Sequence, residues 1–182
     1  MDNKKTCGDL RVWISQFTDF SVSEMDELHW FMNARKGHEY GVNTYTMTQI
    51  SRSPRQIVAF DVDNGIKNSA LQRMVDSVPP FEKYFTDGYL GYLSVDFLGR
   101  HKRNVHNKND TFTVEGINSD LRHYLSGLRR RSKIFFRKLE TYLAVLWVFI
   151  NAYNKFGEAK MLYRTRHPNL GRELPFSVLD YL

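Results

Sequence analysis

The sequence predicts an α/β fold, a mixed five-stranded sheet flanked by helices. Three observations carry this. The first half holds three β-rich runs joined by short turns. Shorter apolar strands then alternate with helical patterns. The second half holds two long apolar-periodic segments. The chain has 182 residues, 42% hydrophobic and 25% charged, enough for one domain with a buried core.

Taken in order, residues 1–20 show no clear period and read as a leader or linker. VSEMDELHWFMN, from Val22 to about Asn33, fits a first strand although Glu24 and Asp26 interrupt it. RKGHEYG is a turn signal, and VNTYTMTQIS is a second strand rich in β-branched and aromatic residues. SRSPR turns again, and QIVAFDVD is a third strand ended by Asn64-Gly65. NSALQRMVDSV reads as a helix that Asn68 or Ser69 can cap and that Pro79-Pro80 stop. EKYFT is a short fourth strand, GYLGYLSVDFLG a short helix and KRNVHN a weak fifth strand. From Phe112 to Arg131, Val114, Ile117, Leu121, Leu125 and Leu128 recur at helical spacing, weakened by Gly116 and Gly127. A second long helix spans about Phe135 to Phe156, and residues 161–182 read as an irregular tail. The order βββ-α-β-α-β-α-α is that of the ribonuclease H-like fold. By analogy with that fold, the first and fourth strands lie side by side. Residues 21–160 would form this domain.

Charge and cysteine use narrow the function. The net charge is +6, unevenly spread. Residues 1–99 carry a balance of −3, residues 100–138 a balance of +8. A basic block beside a mildly acidic half suits a polyanion held near carboxylates, although a solvated basic helix also accounts for it. The single cysteine, Cys7, excludes an intrachain disulfide framework and a cysteine-based zinc site. The opening MDNKKTCGDL shows no signal-peptide pattern, and the longest apolar run, Tyr142 to Ile150, is too short to cross a bilayer. A soluble, cytoplasmic protein without membrane contact is expected.

Three carboxylates occupy special places. Asp26 lies within the first strand, Asp87 ends the fourth, and Glu115 opens the first long helix. Adjacent first and fourth strands would bring Asp26 and Asp87 together, with Glu115 above them. Converging carboxylates repel unless a cation neutralises them, and oxygen ligands suit Mg²⁺ or Mn²⁺. Two such ions can activate water and stabilise a leaving oxygen in phosphodiester cleavage. Taken singly, Asp87 before Gly88 is a turn residue and Glu115 a helix-terminal charge. Asp61 and Asp63 read as turn residues, and Asp96 and Asp120 as surface. His101 and His106 sit in a basic stretch that suits phosphate, if any ligand. Asn118 and Arg122 share a helix face with Glu115, placing Arg122 to hold a phosphate or to form a surface ion pair. Arg129, Arg130, Arg131 and Lys133, interleaved with Tyr124, Phe135 and Phe136, form a cationic patch of the kind that binds nucleic acid, although Phe135 and Phe136 read as core residues before base-stacking ones.

EMDELHWF, YFTDGY and VEGINSDLRHYLSGLRRRSKIFFRKLE, followed by VFINAYNKFG, resemble the catalytic domain of the insertion sequence one transposases. The resemblance covers roughly residues 20–160. It implies a bacterial enzyme of the DDE type with a ribonuclease H-like fold. Asp26, Asp87 and Glu115 would be its metal-binding triad and Arg122 the basic residue two turns beyond the Glu. It further implies two Mg²⁺ or Mn²⁺ ions, hydrolysis at transposon ends, attack of the freed 3′-hydroxyl on target DNA, and a homo-oligomeric active complex. Family members usually carry an N-terminal zinc and helix-turn-helix region. No cysteine cluster precedes Asp26, which fits a catalytic half whose end-binding region comes from an upstream reading frame, a truncated copy, or a variant. The rival from another class is a non-catalytic DNA-binding remnant or regulator of transposition with the same fold. A junction-resolvase-like nuclease is the rival within the fold.

Overall fold

The computed structural model describes residues 10–32, 42–104, 110–128, 136–169 and 174–182. Among them the strands are β1 (Arg11–Val12), β2 (Val22–Met32), β3 (Val42–Ser51), β4 (Gln56–Asp63), β5 (Lys83–Thr86) and β6 (Arg100–Arg103). The helices are α1 (Asn68–Asp76), α2 (Phe112–Tyr124) and α3 (Leu139–Arg166). Short 3₁₀ turns at Leu90–Ser94, Ser126–Leu128 and Val178–Tyr181 complete the elements.

The strands form one mixed sheet in the order β1-β4-β3-β2-β5-β6. β2, β3 and β4 make an antiparallel meander, while β5 joins β2 in parallel and β6 joins β5 in parallel. This is the ribonuclease H-like arrangement, with the first and fourth predicted strands, β2 and β5, as neighbours. The sheet has a sixth strand that the sequence did not announce. Arg11 and Val12, in the expected leader, pair with Phe60 and Ala59 at the β4 edge. Two residues are too few to show a period.

Helices cover both faces. α2 and α3 pack on one face through Val114, Ile117, Leu121, Tyr142, Leu146 and Ile150, against Leu28, Trp30, Ile50 and Phe60. α1 covers the other with Ala70, Leu71, Met74 and Val75, against Met25, Met47 and Val58. All eight residues of β4 are buried, as a strand covered on both faces requires. Where the β3–β4 register shifts, Asn154 of α3 steps in: its amide accepts from Ile57 N–H and donates to Ile57 C=O, both at 2.9 Å. The polar residue in AYNKFG is thus a substitute strand partner.

Three element boundaries differ from the sequence reading. α1 follows Lys67 and takes no side-chain cap from Asn68 or Ser69. α2 ends at Tyr124, before Gly127. α3 begins at Leu139 and runs to Arg166, past both the expected end at Phe156 and the expected domain boundary at 160; Pro168 follows. Gly157 lies inside α3 where the helix faces the β3–β4 turn, and a Cβ there would meet Pro54 O at an ordinary contact distance of 3.4 Å.

Candidate metal centre

The site forms where β2 and β5 run in parallel. Met25 pairs with Thr86, so Asp26 and Asp87 follow at the carboxyl end of that pairing. Asp87 accepts the Tyr89 N–H at 2.9 Å, the side-chain turn that its position before Gly88 suggested. That turn and the presentation of the carboxylate are one arrangement. Oxygens of Asp26, Glu27 and Asp87 lie within 4.8 Å of one another.

Glu24, two residues before Asp26, sets the geometry above the strand. It is fully buried. Its Oε2 accepts the N–H groups of Thr113 (2.9 Å) and Val114 (2.8 Å), and its Oε1 accepts Arg52 Nε at 2.6 Å. The amino end of α2 has no side-chain cap of its own from Thr111. A strand carboxylate therefore satisfies two of its orphan donors and complements the helix dipole. Arg52 also donates to the Asp110 carbonyl at 2.7 Å and lies over the rings of Phe85 and Phe112. This clamp fixes α2 over β2. One turn into the helix, Asn118 Nδ2 donates to Asp26 Oδ2 at 2.8 Å.

Glu115 comes from the same helix. Its carboxylate accepts the Thr111 hydroxyl at 3.2 Å, and its charge raises the proton affinity of Asp26. It stands outside the tight set formed by Asp26, Glu27 and Asp87. Glu27 is the residue the sequence reading missed. Strand alternation sends it to the α1 face, opposite Asp26. Just beyond the last β2–β5 pair its longer side chain still reaches the other two carboxylates. The signal that could have found it is the Asp-Glu pair itself, two acids in succession in a strand that disfavours either.

The electrostatics are those of a cluster short of positive charge. Burial, followed by the charges of Asp87 and Glu115, lifts the Asp26 pKa to about 6, against the hydrogen bonds it accepts. Burial, followed by Asp87 and Asp26, lifts Glu27 to about 8. The buried Tyr92 hydroxyl lies beside Glu27 and is itself held protonated by burial and the nearby carboxylates. Neither it nor Glu27 Oε1 makes a hydrogen bond of good geometry among the described residues, and the buried Asn118 Oδ1 is likewise unmatched. Buried oxygens left over around three carboxylates fit a hard divalent cation.

The remaining predicted residues fall as follows. Asn118, expected to face DNA, is only 2% exposed, and its amide is spent on Asp26. Arg122 is half-buried, two turns beyond Glu115 on α2. Arg129, Arg130, Arg131, Lys133 and His106 lie outside the described residues. His101 meets Thr86 at 3.0 Å and stacks on Phe97, with its pKa lowered by burial and then by Arg103. Asp61 and Asp63 do not join the cluster; they pair with Arg73 at 2.9 Å and Lys67 at 2.7 Å.

No protein-family model and no curated protein matches this sequence. Among solved structures, the chain is similar to one in the intasome of simian T-cell lymphotropic virus in complex with the PP2A regulatory subunit B56 gamma. The TM-score is 0.52 at 14% identity, over 92% of this chain. The likeness is one of fold. This chain spans 62% of that protein's length. Among the described residues no helix is long and apolar enough to cross a membrane.

Proposed function

We propose that this chain is the catalytic domain of a DDE-type DNA transposase of the insertion sequence one family. The observation that carries the reading is the meeting of Asp26 and Asp87 just beyond the parallel β2–β5 pairing, with Glu115 close enough above to act on Asp26. The likeness in fold to a chain of a retroviral intasome, a DNA-integration assembly, supports it.

In this reading Asp26, Asp87 and Glu115 hold two Mg²⁺ or Mn²⁺ ions, and Glu27 adds a fourth carboxylate beside them. Bound there, the ions would supply an activated water and stabilisation of the leaving oxygen in phosphodiester cleavage. The chain's own residues do the rest. Asn118 holds Asp26 by a hydrogen bond to its Oδ2. Glu24 and Arg52 hold α2, and with it Glu115, at a set height above the strand. Tyr92 closes the α1 side of the site without bringing a charge. Arg122, two turns along α2, takes a phosphate of the bound strand. Arg129, Arg130, Arg131 and Lys133 add sequence-independent affinity for DNA. Hydrolysis frees a 3′-hydroxyl at each element end, which then attacks target DNA. Two ends must be joined, so the active complex is a homo-oligomer, with an upstream-frame region supplying end recognition.

The test is Mg²⁺- or Mn²⁺-dependent nicking and strand transfer on element-end DNA, with the end-binding region supplied. Full activity retained by Asp87→Asn would end the assignment. Cleavage without strand transfer would move it to a resolvase-like nuclease.

A further inference from the structure

Behind α2 lies a second cavity, of about 810 Å³, that the carboxylate cluster does not touch. Asp120 and Tyr124 line it from the flank of α2 roughly opposite Glu115, given 3.6 residues per turn. The turn from Arg52 to Arg55 forms one wall and α3 another. Its size falls within the range of small-molecule sites, about 300–1,000 Å³.

The charges around it do not balance. Arg55, Lys160 and Arg164 line the cavity together with one carboxylate, Asp120. That carboxylate is already shared, accepting the Tyr153 hydroxyl at 2.8 Å and meeting Arg55 at 3.5 Å. Lys160 and Arg164 form no ion pair with any described residue. Burial lowers the Lys160 pKa, and the neighbouring Arg164 and Arg55 lower it further. Like charges gathered in a recess cost free energy unless an anion joins them. Backbone geometry helps to gather them. Arg55 sits at φ 73, a left-handed conformation that a non-glycine residue rarely adopts. Its guanidinium rests on Gly116, where a Cβ would come within 2.6 Å of Nη2. The half-buried rings of Phe156 and Phe176, 6.0 Å apart, edge the same space.

We propose that this cavity binds a phosphorylated ligand of nucleotide size, its phosphate on Arg55, Lys160 and Arg164 and its base against Phe156 and Phe176. Planar guanidinium forks suit phosphate oxygens, and aromatic rings suit a base. The ligand is either a free nucleotide or one nucleotide unit of a single strand.

Calorimetric titration of the full chain with dAMP, with deoxyadenosine and with a short single-stranded oligonucleotide tests this. Working in EDTA keeps the result independent of the metal centre, so Asp87→Asn should bind as the parent does. Saturable dAMP binding, weakened at least about tenfold by K160Q/R164Q together, is the expected result. Arg164→Gln alone, at an exposed position that cannot threaten folding, should weaken it in the same direction. An oligonucleotide that competes with dAMP identifies the strand as the source; one that does not identifies the free nucleotide. Deoxyadenosine binding as tightly as dAMP, affinity unchanged in the double variant, or no saturable binding of dAMP or the oligonucleotide, would each overturn the proposal.

Discussion

The two halves of β2 hold carboxylates under opposite conditions. Glu24 is fully buried, yet each of its oxygens is matched, to an arginine on one side and to two helix N–H groups on the other. Asp26 and Glu27, two and three residues on, are half-buried among further negative charge, and among the described residues Asn118 is the one side chain that donates to Asp26 in good geometry. The first carboxylate is spent on structure. The second pair is left over, and its protons are held well above the usual range. An acid matched by a cation and N–H donors serves the fold, whereas acids left among like charges are candidates for a cation ligand set.

Four measurements test this contrast. The largest expected effect is on activity: Asp87→Asn should abolish metal-dependent nicking while leaving the melting temperature unchanged or raised, because it removes repulsion. A lowered melting temperature would place Asp87 with Glu24 as a structural acid. Next, Glu24→Ala should destabilise the fold by about 3–5 kcal/mol, since it strands Arg52 and two helix donors. Urea unfolding checks this, and a loss under about 1 kcal/mol would show that α2 does not depend on the clamp.

Third comes pH. The folded pKa of Glu27, about 8, stands above its ordinary 4.5. Between those values the folded state keeps a proton that the unfolded chain has released, so this stabilisation is full below about pH 4.5 and lost as pH rises to about 8. In EDTA, urea midpoints should fall across that window, and Glu27→Gln should flatten the slope. An unchanged slope in the variant would remove Glu27 from the cluster. The smallest effect belongs to the exposed pair of Lys102 and Asp110 at 2.6 Å: Lys102→Ala should cost no more than about 1 kcal/mol by the same unfolding assay.

What could be read from the sequence was what local pattern encodes. β3 and β4 fall on the stretches read as strands because β-branched runs and turn residues bound them on both sides. The pairing of β2 with β5 was expected by analogy with the ribonuclease H-like fold that the element order suggested, and with it the approach of Asp26 to Asp87. The missing parts depend on distant partners. Nothing near Glu24 shows that it will cap a helix almost ninety positions away. Glu27 was hidden because alternation assigns it to the other face. The last turns of α3 lack an apolar stripe, so the pattern stopped at Phe156 while the helix continued.

The parallel register of β2 and β5 has a consequence for how the protein is made. β2, β3 and β4 are successive in the chain and pair with their neighbours in sequence. Met25 and Thr86, by contrast, lie 61 positions apart, with the whole meander and α1 between them. Long-range pairing pays its loop-closure entropy before any contact rewards it. The carboxylate cluster exists only once that pairing is made. A chain still folding thus carries no finished carboxylate cluster, and under the proposed function cleavage would wait on the completed sheet.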